Sequence, residues 1–507
     1  MNTIDLVVCS LPPLVVDRPP GAPALLKSAV EEAGYTCQTL DLSIDFFVNQ
    51  CNKDVDQYNT LTSAFRPQEC HSDQAEKSAQ QWVDASIRKL KSIGPTLIGL
   101  SVFTNFQHRA TVRLAQAIRI HLPKVKIIVG GMGLIVNSSS LSAEPGIKKI
   151  DLMKPFPQYL TEKQLVDFIV PYGNELTDLV NILEQVIGVS ERTKKINYQE
   201  QTVIYDNPIP NYDNYELDHY LWNDNKALPV TGSKGCVRAC TFCDIPGQFG
   251  KFRYRTGRNI ADEMLHQKKA YNINRFEFTD SLVNGSLKAF KEWLTIIADY
   301  NDQQSEENRI QWFGQYICRP QKHMPEEIYS LMSRSGVSNL TIGLESGSNY
   351  ILNSMKKHVT VEDYYDELEQ FQKYGIKAQY LFLPGFYNET WDRFLETLDC
   401  LVKLQKYVAS GTITNIGVGA PLFLNDQMEL GRRADELGLI IDPLNETAWR
   451  STYDTEYDFV ERARRRLIIE LLLDKLGVFG NYQSSSNVSQ MYMRLKDYEN
   501  KLLESKL

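Results

Sequence analysis

The chain has 507 residues, enough for two to four domains and a sizeable core without disulfide or metal staples. A hydrophobic share of 43% and a charged share of 23% exclude long disordered or fibrous organisation. With 55 Lys and Arg against 63 Asp and Glu the formal charge is −8, so the surface exerts no long-range pull on polyanions, which argues against bulk nucleic acid as a partner. No apolar run reaches the roughly 18 residues of a membrane span, and residues 1–14 lack the basic flank of a signal peptide. The cysteines number 9, an odd count, and are unevenly spread, which fits a reduced, cytoplasmic setting better than a disulfide framework.

In chain order, residues 4–9 read as a strand, 10–13 as a turn and 23–33 as a helix that stops at Gly34. Strands follow at 36–42, 96–101, 125–129 and 166–170, with a helix at 109–121 and another from Glu175 to about Val186. This alternation predicts a doubly wound parallel sheet over residues 1–189, with any ligand at the carboxyl ends of its strands. Residues 44–91 exceed a normal connection and are expected to be a helical insertion. The tyrosine-rich stretch 190–226 reads as a linker.

After it the alternation restarts, with strands at 228–231, 275–278, 310–314, 339–342, 377–383 and 412–418. Six β/α units over 227–420 predict an open partial (β/α)6 barrel with its chemistry on the loops after the strands. Residues 421–507 are expected to form a mostly helical extension, with a helix over 459–476. Directly after the first barrel strand comes Gly232-Ser233-Lys234-Gly235-Cys236-Val237-Arg238-Ala239-Cys240-Thr241-Phe242-Cys243. Three thiolates at this spacing can hold three corners of a [4Fe-4S] cubane and leave the fourth iron open to a ligand.

The Cys-x3-Cys-x2-Cys loop, with an aromatic residue before its last cysteine, resembles the radical S-adenosylmethionine superfamily. The resemblance implies that the open iron binds S-adenosylmethionine and that one electron from the cluster cleaves it to a 5′-deoxyadenosyl radical. It further implies S-adenosylmethionine contacts from Phe242, from Thr279 and Asp280 after the second strand, and from Arg319 after the third. Glu345 and Ser346 in Gly343-Leu344-Glu345-Ser346-Gly347 follow the fourth strand, and Leu383 in Leu381-Phe382-Leu383-Pro384-Gly385 ends the fifth. The usual Gly-Gly-Glu after the second strand is missing, and Thr279 and Asp280 stand in for it. Residues 1–189 resemble the cobalamin-binding domain of one branch of that superfamily, which implies cobalamin contacts from Ser101, Thr104, Gly130, Gly131, Gly173 and Glu175. No Asp-x-His-x-x-Gly segment supplies a lower cobalt ligand.

The expected activity is a cobalamin-dependent methyl transfer to a small-molecule, lipid or peptide substrate, fed by an electron donor such as a flavodoxin or ferredoxin. No residue is assigned to catalysis beyond these contacts. Two alternatives stand beside this reading: a cobalamin-independent radical rearrangement, cyclisation or oxidation, and a non-catalytic metal-binding scaffold. The three cysteines form a zinc knuckle if His266 joins them, or a simple electron carrier if Cys318 or Cys400 closes the cubane. His108 reads either as a cobalt ligand or as a helix-start histidine bonded to backbone. The arginines at 462–466 read either as a substrate grip or as a solvated helix face.

Overall fold

In the computed structural model the described residues are 4–66, 72–142, 144–194, 196, 198, 200–222, 226–419, 422–442, 445–454 and 457–478. The chain divides into two units, Met1–Pro229 with Asp262–Arg275, and Val230–Ala261 with Phe276–Leu507.

The first unit is built on strands β1 (Leu6–Ser10), β2 (Cys37–Asp41), β3 (Leu97–Ser101), β4 (Lys126–Gly130) and β5 (Phe168–Val170), in the order β2-β1-β3-β4-β5. All neighbours run parallel. The sheet is doubly wound, and its strand order reverses between β1 and β3, where such folds bind ligands. β1 is buried along its whole length, as a central parallel strand must be. The expected helical insertion is present as helices Leu42–Cys51, Val55–Leu61 and Asp73–Ile93, with residues 67–71 outside the described residues.

The stretch expected as a linker is no spacer. Tyr198 donates to the Ala29 carbonyl at 3.0 Å, Tyr220 donates to Asp41 at 2.7 Å, and Asn211 accepts from Lys27 at 3.2 Å. Among its described residues it holds the two-residue strand β6 (Ile204–Tyr205) and a 3-10 turn at Leu217–His219, and it joins the first unit by side-chain hydrogen bonds. Its tyrosines are buried, and Tyr198 and Tyr220 also place their hydroxyls on partners, so they are packing residues of this unit.

The second sheet contains β7 (Ala227–Val230), β10 (Arg275–Phe278), β11 (Gln311–Tyr316), β12 (Val337–Glu345), β13 (Ala378–Phe382) and β14 (Ile413–Val418), in sequential order. β11 through β14 pair in parallel, as a partial barrel requires. Between β7 and β10 lie two short strands, β8 (Ser233–Lys234) and β9 (Arg253–Arg255), paired antiparallel. The extension departs from the mostly helical expectation, because β15 (Leu439–Asp442) and β16 (Asn445–Ser451) form an antiparallel hairpin before helix Phe459–Lys475. The hairpin brings Trp449 into an apolar cluster with Phe386, Leu424 and Met428, a long-range burial that no local periodicity announces.

Candidate iron–sulfur and S-adenosylmethionine site

The cysteine loop is held at both ends before any cofactor is considered. Asp280, at the end of β10, accepts from the Gly232 amide at 2.8 Å and from the Ser233 hydroxyl. Arg255 on β9 donates its backbone amide to Gly232 O at 2.8 Å and its guanidinium to Thr231 O at 3.0 Å. Burial pushes the Asp280 carboxyl up to about 7, while the hydrogen bonds from Ser233 and Gly232 and the charge of Arg255 pull it back down. Gly235 enters the loop at φ +83°, a left-handed turn that glycine adopts without strain.

Further along, Thr241 donates its amide to Met355 O at 3.1 Å, and its carbonyl accepts from Leu430 at 2.9 Å. Helix Ile245–Phe249 follows, and its Gly247 sits so close to the Gln427 carbonyl that a Cβ would lie 2.3 Å from that oxygen. Only glycine permits this approach.

Cys236, Cys240 and Cys243 are all half-buried; Cys236 raises the thiol pKa of Cys240, and both raise that of Cys243. Burial is the main cause in each case, carrying Cys243 up to about 12; charge from Lys357 and Arg238 opposes it at Cys236 and Cys240. The Arg238 amide donates to Cys236 Sγ at 3.4 Å, the kind of backbone contact that stabilises a thiolate ligand. Among the described residues no three His, Cys, Asp or Glu side chains converge on one ion position. Cys318 is buried, with its thiol facing Glu367, and Cys400 accepts from the Tyr365 hydroxyl at 3.4 Å. His266 is exposed on helix Gly257–Tyr271.

The other expected contacts separate into two groups. Thr279 is exposed, with its hydroxyl 2.7 Å from that of Thr231. Phe242 and Leu383 lie against one apolar cluster that includes Ile351, Met355 and Phe386. Arg319 is half-buried; its Nη2 donates to Asn284 O at 2.9 Å and Gly285 O at 3.1 Å, and its Nε has no partner. That orphaned donor, held by two carbonyls near Arg238, is what a carboxylate-bearing ligand would satisfy. By contrast Asp280 has both oxygens on the loop, and Ser346 is fully buried, its hydroxyl 3.1 Å from Thr397 Oγ1. Both hold the site's walls.

Glu345 combines the two roles. It has φ +73° at a register shift between β12 and β13, and its carboxylate accepts from Lys357 at 3.2 Å. A non-glycine residue in this region stores strain and marks a functional turn. Lys357 was not among the expected residues. The sequence holds it in Met355-Lys356-Lys357-His358, a surface-like run; the fold turns it inward to Gly343 O at 2.9 Å.

In the first unit Ser101 and Gly130 end paired strands, and Gly131, at φ +115°, lies so close to Val102 that a Cβ would meet its carbonyl oxygen at 2.3 Å. Thr104 Oγ1 is buried without a partner. Val15 is 66% and Phe103 63% exposed, and Phe106, Ile135 and Val136 are exposed as well. These residues sit on the loops after β1, β3 and β4, so the carboxyl edge of the sheet carries an exposed apolar surface. Gly173 O accepts from Gln201 at 3.1 Å, and Glu200 caps the helix that Glu175 begins, accepting from the Leu176 and Thr177 amides at 3.1 Å. His108 is fully buried between Gly133 O at 2.7 Å and the Ser140 hydroxyl at 2.6 Å, stacked on Phe156. It is the backbone-bonded helix-start histidine, and both ring nitrogens are engaged.

Residues 230–401 match the family described as the radical SAM superfamily. Over 346 residues the chain is 25% identical to an uncharacterized methyltransferase of Pyrococcus horikoshii, covering 66% of this chain and 70% of that one. Matches to such relatives span from 38% to 70% of their own lengths. Among solved structures, the radical S-adenosylmethionine methyltransferase TsrM from Kitasatospora setae, with cobalamin and a [4Fe-4S] cluster bound, superposes at TM-score 0.57 over 87% of this chain and 81% of that one, at 16% identity. The cobalamin-dependent S-adenosylmethionine radical enzyme OxsB superposes at TM-score 0.60 over 98% of this chain and 72% of that one, also at 16% identity. These likenesses show the same fold. Residues 230–401 are a radical SAM domain, which implies a [4Fe-4S] cluster and S-adenosylmethionine as cofactors.

Proposed function

We propose that this chain is a cobalamin-dependent radical methyltransferase in which Cys236, Cys240 and Cys243 ligate the cluster. When bound, the cofactors supply reductive cleavage of S-adenosylmethionine to a carbon-centred radical and a methyl group from cobalamin. The observation that carries the reading is the loop itself: three partly exposed thiols, clamped at both ends by Asp280, Arg255 and Thr241, at the carboxyl end of the first barrel strand. In this reading Arg319 Nε meets the carboxylate of S-adenosylmethionine, Thr279 meets its amino group, and Phe242 and Leu383 give apolar cover. Lys357 holds the Glu345 carboxylate in place. The apolar edge at Val15, Phe103 and Phe106, with the Gly130-Gly131 turn, is where cobalamin is received. The relatives named as methyltransferases support the transfer class.

The substrate is a small molecule, lipid or peptide, and a one-electron donor protein in a reducing compartment completes the system. The test is metal content per chain after anaerobic reconstitution with iron, sulfide and hydroxocobalamin. About four irons and one cobalt, with S-adenosylmethionine cleavage under reduction, is the expected result. Four irons without cobalt assigns the cobalamin-independent alternative, and one zinc without iron removes the enzyme reading. Cys240→Ala should lose the cluster absorbance and cleavage together; retained cleavage overturns the ligand assignment.

A further inference from the structure

Three segments of the second unit meet around the cysteine loop, and their charge is opposite in sign to that of the chain. The Arg238 guanidinium, within the loop, donates to Cys318 O at 3.4 Å and to His358 O at 3.5 Å. On the loop's other flank a Cβ on Gly235 would lie 3.5 Å from Phe252 Cα, so residues 250–252 border it as well. Residues 232–252, 317–324 and 355–358 together hold seven Lys and Arg against one acid, Asp244, in a chain whose net charge is −8. Lys356 and Lys357 are paired with Glu429 and Glu345 from outside these segments. Asp244 is half-buried, with its carboxylate accepting from Gln248 at 2.6 Å. Arg238, Lys251 and Lys322 have no carboxylate partner among the described residues, and Lys251 and Lys322 are exposed.

On either side of Arg238 the loop itself reaches the surface. Val237 is 41% exposed and Ala239 is exposed, between the half-buried Cys236 and Cys240. A small apolar contact among unpaired cations suits a weak encounter with an acidic protein, because the charges steer and orient the partner while the contact buries little area. The net negative charge of the rest of the chain repels an extended polyanion such as RNA, but leaves a small acidic protein free to engage the patch alone. The position then selects the kind of protein: whatever docks here stands over two of the three candidate cluster ligands. We propose that Val237, Arg238, Lys251 and Lys322 form the docking surface for a small acidic one-electron carrier protein, which reduces the cluster across the Cys236–Cys240 turn. This rests on the cofactor reading above. One electron leaves the reduced carrier and enters the oxidised cluster, and no bond forms or breaks in the encounter.

The experiment uses the full chain after anaerobic cluster reconstitution, with a flavodoxin and, separately, a ferredoxin as probes. The readouts are the Kd of each carrier by calorimetry and the rate of S-adenosylmethionine cleavage driven either by reduced carrier or by dithionite. Lys251→Glu with Lys322→Glu should raise the Kd of at least one carrier about tenfold and slow carrier-driven cleavage by a similar factor. Dithionite-driven cleavage and iron content should stay at the parent level. Carrier binding to the parent should weaken as salt rises from about 50 mM to about 300 mM. Lys124→Glu, at an exposed lysine just before β4, should alter none of these. Binding of neither carrier to the parent overturns the proposal, as does a double variant that keeps the parent's Kd and carrier-driven rate. A short RNA that binds the parent but not the double variant, where neither carrier binds, assigns the patch to nucleic acid and overturns it too. If dithionite itself drives no cleavage in the parent, the cofactor reading falls and this proposal with it.

Discussion

Asp280 shows how one buried carboxylate can fix the start of the cysteine loop. Both its oxygens are taken by Gly232 and Ser233, so Asp280→Asn places an amide donor against one of two donors. A loss of about 1–3 kcal/mol is expected, read as a lower urea midpoint together with reduced iron retention. Glu367 is a second buried acid, with burial pushing its carboxyl up to about 8 while Tyr316 donates to it at 2.8 Å. Between about pH 4.3, where an unfolded glutamate titrates, and its folded value, the folded chain keeps a proton that the unfolded chain releases. Its contribution to stability therefore falls as pH rises through that window, by up to about 1.4 kcal/mol per pH unit. Glu367→Gln should gain stability relative to the parent from pH 5 to pH 8 in urea titrations; a parallel pH profile for the two would refute this.

Elements are joined in the second unit by a few buried polar pairs. Glu389 accepts from the Gly385 amide at 2.9 Å and from Arg465 of helix Phe459–Lys475 at 3.1 Å, so it ties the turn after β13 to the last described helix. Arg462 of the same helix donates to Trp449 O and Thr447 O and stacks on the Trp449 ring, 3.6 Å from its centroid. Glu389→Ala takes one of two carboxylates from the Arg465 guanidinium, which keeps Glu461, and leaves the Gly385 amide without its acceptor, so it is expected to destabilise by about 1–3 kcal/mol in chemical denaturation. The arginines of this helix therefore split. Arg462 and Arg465 are interior fasteners, while Arg464 is paired at the surface with Glu461 at 3.0 Å.

At the scale of the whole molecule, each unit presents its candidate site at the carboxyl ends of parallel strands, as open α/β sheets do. In the first unit His108 is committed to Gly133 and Ser140, and burial lowers it to about 4, so it is neutral above that pH and has no nitrogen left for a metal. His108→Asn is therefore expected to lower the melting temperature while leaving the visible spectrum of bound cobalamin unchanged. A spectral shift on that substitution would restore the histidine as a ligand.

The cysteine loop and both β/α alternations were legible in the sequence because they depend on local spacing and periodicity, and the barrel strand at 275–278 coincides with β10. Other strand ends moved by one to three residues, where burial of the neighbouring strand decides the boundary. Lys357, Glu200 and the β15–β16 hairpin were not legible, since each acts on partners far away in sequence. Glu200 caps a helix from a stretch that reads as linker, and Lys357 turns inward to reach Gly343 and Glu345 from a basic run. The sequence by itself determined the radical SAM domain, the candidate cysteine loop and the order of the elements, all properties of short windows of chain. Only the tertiary structure decided which polar groups hold the loop and which remain open to a ligand, because a carboxylate's role depends on which donors the fold places within hydrogen-bond reach.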